Sequence, residues 1–108
     1  MNAFDDREKA FEAKFERDEE GKFRVASRAA RMFGEWVGAQ MELKDEALEA
    51  YAREMVDAAV VYKDVEGLIT KAEESLKAKN KAISRHRLER EMENFYHSAA
   101  QQNVSNKS

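Results

Sequence analysis

Two histidines, a dense set of carboxylates and six phenylalanines are the residues that could do chemistry or binding here. His86 and His97 stand eleven positions apart. On one helix they would face nearly the same way but lie some three turns apart, too far to share a metal. No His-Glu-x-x-His pattern accompanies them, so they read as surface or boundary residues. The chain has no cysteine, which excludes a disulfide framework, a thiolate metal site and a cysteine nucleophile, and fits a reducing compartment. It has no glycine-rich phosphate loop and no nucleophile elbow. Its carboxylates fall mostly on solvated faces instead of pairing as acid and base. No enzymatic activity, no metal and no cofactor are expected.

Binding is better represented. At about 100° per residue, Phe4, Phe11 and Phe15 fall within roughly 40° of one another on a helix. Residues 1–20 carry eight acids against four bases, a net charge of −4, whereas residues 22–31 carry four bases and no acid. A narrow aromatic stripe on an acidic helix resembles a ligand that lies in another protein's groove. The competing reading is that Phe11 and Phe15 extend this protein's own bundle. Trp36 could anchor a partner, but it lies next to the core stripe and reads more simply as packing. The run 77–90 holds six bases against Glu89, with few aromatics and no recognisable nucleic-acid module. It reads as a solvated helix junction, and no nucleic-acid partner is expected.

These residues need helices to hold them. The 108 residues are enough for one domain with one modest core. With no proline, four glycines and many Ala, Glu, Lys, Arg, Leu and Met, the chain favours helix almost throughout. The apolar spacing predicts four helical segments. The first spans about 5–40, with Asp5 as a cap and Glu8 three residues on. Its second half carries a stripe of Phe23, Ala26, Ala30, Phe33 and Val37. Gly21 lies between the halves and weakens the helix by about 1 kcal/mol relative to Ala. The second spans about 45–62, with Leu48, Tyr51, Ala52, Met55, Val56 and Ala59 inward. The third starts after Asp64 and presents Val65, Leu68, Ile69, Ala72 and Leu76. A break at 79–81 precedes the fourth, capped by Ser84 and presenting Leu88, Met92, Phe95 and Ala99.

The expected fold is all-α, a four-helix bundle with a mobile or extended N-terminal helical segment. Its parts would be an N-terminal segment 1–20, the bundle 21–100 and a disordered polar tail 101–108. Six acids between residues 42 and 57 face six bases between 77 and 90 in the tally, which suggests that the second and fourth helices complement each other. A net charge of −3 argues against general attraction to nucleic acid or anionic lipid. No signal-peptide pattern and no apolar run of roughly eighteen residues is present, so a cytoplasmic protein without direct membrane insertion is expected.

The run Phe4-Asp5-Asp6-Arg7-Glu8-Lys9-Ala10-Phe11-Glu12-Ala13-Lys14-Phe15, with Asp18-Glu19-Glu20 and Phe23 after it, closely resembles the N-terminus of the zeta subunit of alphaproteobacterial F-type ATP synthases. The likeness continues through Arg28, Gly34 and Trp36. It reappears in Glu49-Ala50-Tyr51-Ala52-Arg53-Glu54 and more faintly in Ser84, His86, Leu88 and Met92. The resemblance implies a four-helix inhibitor of ATP hydrolysis, free as a monomer, whose partners are the catalytic and rotor subunits. By that likeness the inhibitory segment is about 1–18, with Phe4, Phe11 and Phe15 as apolar anchors, Asp5 as its cap, and Arg7, Glu8 and Lys14 as polar contacts. The sequence departs from the family pattern in several places. Gly21 replaces a larger apolar residue, Arg17 a common histidine and Lys44 a capping threonine, and the loop before Asp64 is short. A generic helical adaptor that uses the same three phenylalanines is the alternative.

Overall fold

The computed structural model describes residues 19–62 and 64–107. They form four helices: α1 (Glu19–Gln40), α2 (Asp45–Tyr62), α3 (Val65–Ala78) and α4 (Arg85–Lys107). The described residues contain no strand. The expected N-terminal segment, with Phe4, Asp5, Arg7, Glu8, Phe11, Lys14 and Phe15, lies outside the described residues.

Local chemistry explains the helix ends. Asp64 caps α3 from an extended conformation (φ −140°), its side chain accepting the Gly67 N–H at 3.1 Å. Ser84 does the same for α4, its hydroxyl accepting the Arg87 N–H at 3.1 Å. The break at 79–81 is a Schellman turn. Asn80 adopts φ 58°, its N–H donates to the Lys77 carbonyl, and the Lys81 N–H donates to that of Leu76. Asparagine tolerates this left-handed geometry. The α1 terminus repeats the motif with Glu42 at φ 66°, the Leu43 N–H reaching back to Gly38. Lys44 offers no side-chain acceptor to α2, and the Ala47 N–H, joined by a longer bond from Leu48, donates to its backbone carbonyl instead.

The expected 20/21 boundary falls inside α1, where Gly21 sits buried in the first turn. At the other end α4 runs to Lys107, so residues 101–107 are helical where a disordered tail was expected. Nothing in that stretch breaks a helix, because it has neither proline nor glycine. Each residue added to a formed helix closes another hydrogen bond.

α1 is the central element and packs against the other three, most extensively against α2 and then α4. α2 packs on α3 and α3 on α4, while among the described residues the backbones of α2 and α4 do not come together. The expected pairing of acidic second and basic fourth helices is therefore wrong. Arg31 of α1 takes the Glu49 carboxylate of α2, and Arg85 of α4 takes Glu66 and Glu73 of α3. Charge tallies along a sequence cannot tell which helices become neighbours.

The core is built from Val25, Ala29, Ala30, Phe33 and Val37 of α1, Tyr51, Ala52 and Met55 of α2, Leu68, Ile69, Ala72 and Leu76 of α3, and Leu88, Met92 and Ala99 of α4. Small residues let α1 and α2 approach closely. A Cβ on Gly34 would stand 2.9 Å from the Ala52 Cα, and one on Gly38 would stand 2.6 Å from a Leu48 methyl. Phe23, expected in this core, is 57% exposed instead. It lies within about 20° of Ala30 around the helix. Its exposure is therefore a matter of position along the axis, where α2 ends and α3 begins and neither covers it.

Candidate functional site

α1 enters the bundle at Glu19, and its first two turns form one wall of an open cleft. Lys22, Phe23 and Ala26 supply that wall, Ala59 and Val60 the end of α2, Asp64, Val65 and Leu68 the start of α3, and Met92 and Tyr96 the middle of α4. The cleft encloses about 530 Å³ and its lining is mostly apolar. Several of its residues are open to water: Val60 (47%), Val65 (41%) and Tyr96 (39%) join Phe23, with Val61 alongside at 74%. Scattered exposed apolar residues are ordinary; here several gather around one concavity, which makes the cleft a candidate interaction surface.

The opposite end of α1 is closed. Trp36 is half-buried against the core, as its place beside the stripe suggested, and the Arg87 guanidinium lies 5.5 Å from its ring centroid. The Arg87–Trp36 contact at one end and Met92 and Tyr96 beside Phe23 at the other show that α4 runs antiparallel to α1.

Ion pairs fix the helices around this frame. Arg31 grips both oxygens of Glu49 at 2.8 and 2.6 Å. The hydrogen bond and the opposite charge hold the Glu49 carboxyl below its ordinary range and raise Arg31. Hydrogen bonds to Glu73 and Glu66 raise Arg85 in the same way. Much of the basic run 77–90 is engaged internally, with Lys81 at 3.7 Å from Glu42 and Arg87 at 3.2 Å from Glu91. That engagement accords with a helix junction. His86 and His97 are both exposed and are not brought together; His97 stands 3.9 Å from its helix neighbour Glu93. Among the described residues no group of three or more His, Cys, Asp or Glu side chains could hold a metal, and no helix is long and apolar enough to cross a membrane.

One signal of the cleft is present in the sequence. Val60 and Val61 are consecutive apolar residues at the end of α2, more than a single helical stripe uses.

The family model for ATPase inhibitor subunit zeta matches residues 1–102. The chain belongs to this family. The match bears out the resemblance read from the phenylalanine-rich N-terminus, and it extends through the bundle to the last third of α4. No curated protein and no solved structure matches the chain. Membership of the zeta family makes the protein an ATPase inhibitor subunit. Gly34, part of the likeness in the sequence, lies where α1 comes close to the α2 backbone at Ala52.

Proposed function

We propose that the protein inhibits ATP hydrolysis by the catalytic head of an F-type ATP synthase, with residues 1–18 entering an interface between catalytic subunits beside the rotor. Phe4, Phe11 and Phe15 are the apolar anchors, Asp5 caps the inserted helix, and Arg7, Glu8 and Lys14 make its polar contacts. The bundle α1–α4 is the platform that carries the segment. The observation behind this reading is the zeta-family match, which includes the whole N-terminal segment as well as the bundle.

A helix wedged at a catalytic interface binds one conformation of that interface better than the others and stops the rotary cycle. It needs no catalytic residue of its own. Burying three phenylalanines contributes roughly 5–9 kcal/mol, at about 1.5–3 each. Ordering some fifteen residues opposes this by about 1 kcal/mol apiece. Aromatic burial alone therefore does not suffice, and two things close the gap: a pre-formed helix, favoured by the Asp5 cap, and tethering through the bundle, which raises local concentration. Timing ATP hydrolysis by a purified F-type ATP synthase with added protein tests the role. In the same assay a peptide of residues 1–20 should inhibit far more weakly than the whole chain, and equal potency would refute the tethering argument.

A further inference from the structure

We propose that the cleft end of the bundle is a self-association surface, on which two copies of this chain pair weakly about a two-fold axis, each covering the other's cleft. The monomer expected from the family resemblance is the dilute state, and the pair forms as concentration rises. This inference concerns the bundle and does not depend on how residues 1–18 act.

Three observations select a second copy as the occupant. The first is shape. A two-fold interface uses the same patch on both partners, so that patch must carry both a projection and a hollow. The hollow is the cleft of about 530 Å³ between the start of α1, the end of α2, the start of α3 and the middle of α4. The projection is Val61, which follows the lining residue Val60 and is the most exposed large apolar side chain among the described residues.

The second is charge. Lys22 on α1 and Asp64 before α3 are the charged side chains that line the cleft, one of each sign. A cleft balanced in this way selects neither a strongly acidic nor a strongly basic partner. A two-fold rotation instead sets Lys22 of each copy against Asp64 of the other. The net charge of −3 per chain adds little repulsion. The third is area. Phe23, Val60, Val61, Val65 and Tyr96 together leave on the order of 500 Å² open to water, somewhat below the roughly 600–1,000 Å² that each partner of a specific interface buries. That suffices for a transient pair and not for a permanent one.

Sedimentation equilibrium of the full chain tests this. The apparent mass should rise from 12.5 kDa toward twice that value between roughly 10 μM and 1 mM, the span of weak affinities. In isotope-labelled protein, the amide shifts that move over the same range should cluster at residues 22–26, 59–65 and 92–96 and leave the Trp36 end of α1 still. Val61→Lys, at a side chain already open to water, should keep the helical spectrum and raise the dissociation constant roughly tenfold. Lys22→Glu sets like charges together across the axis and should raise it roughly threefold at low salt, a difference that fades at about 1 M salt. A mass that stays at 12.5 kDa up to about 1 mM overturns the proposal. So does association that both variants leave unchanged, because another face is then used. Growth beyond the dimer also overturns it, since a patch that pairs with itself stops at two.

Discussion

The two ends of α1 are built on opposite principles. Around Gly34 the helices touch backbone to backbone, with Phe33, Ala52 and Met55 sealed from water. Around Phe23, barely three turns away, the same face of the same helix looks into an open cleft. Both regions are apolar in sequence, so hydrophobicity alone does not separate them. The packed end supplies stability, and the open end, where the N-terminal segment joins, has surface to spare for binding.

Substitution of the two phenylalanines gives the largest contrast. Phe33→Ala should cost about 3–5 kcal/mol, the usual loss for a fully buried ring. Phe23→Ala, at a position 57% exposed, should cost under about 1 kcal/mol. Chemical denaturation followed by helical circular dichroism measures both, and similar losses would erase the distinction.

Next is Gly34→Ala. In an exposed helix this exchange would add about 1 kcal/mol of stability. Here the new methyl would meet the Ala52 Cα at 2.9 Å and must push α2 away, so a net loss of about 1–3 kcal/mol is expected. A gain in thermal stability would show that the helices can separate at no cost.

Tyr51 sharpens the picture of the packed end in the other direction. Its hydroxyl is buried without a well-formed hydrogen bond, and burial pushes its pKa up, partly offset by the nearby Ser75 hydroxyl. Tyr51→Phe removes an unpaired polar group and should be neutral or stabilising by up to about 1 kcal/mol. A clear loss of stability would mean that the hydroxyl finds a partner in solution.

The smallest effect concerns pH. Arg31 depresses the Glu49 pKa in the folded protein, first through its hydrogen bonds and then through its charge. The stability this contributes is present above the unfolded glutamate pKa and is lost as pH falls through the lower folded value. Because the pair is exposed, the contribution is small. Glu49→Gln should lower stability slightly at neutral pH and flatten its decline on acidification. An acid limb of unchanged slope would show that the pair is not coupled to folding.

Much of the fold was legible in the sequence because it depends on local rules. Asp64 and Ser84 announced helix starts by their capping chemistry, and Asn80 marked a stop by its tolerance of a positive φ. The inward residues of α3 followed from a 3.6-residue period, apart from Val65, which lies on the cleft. What the sequence could not show depends on how elements are arranged. Phe23 has the right azimuth for the core, but its burial depends on where two other helices end. The partners of Glu49 and Arg85 depend on which helices are adjacent, and composition does not encode that. The tail at 101–107 looked disordered because it is polar, yet helix continuation asks only for the absence of breakers. The twelve-residue run of phenylalanines and charges carried the family resemblance, and the family match covers it.

The most direct measurement titrates a purified F-type ATP synthase with the full chain and with a version lacking residues 1–18. The full chain should arrest ATP hydrolysis, and the shortened chain should keep the helical content and melting behaviour of α1–α4 while leaving hydrolysis untouched. Undiminished inhibition by the shortened chain would place the inhibitory element in the bundle and contradict the account.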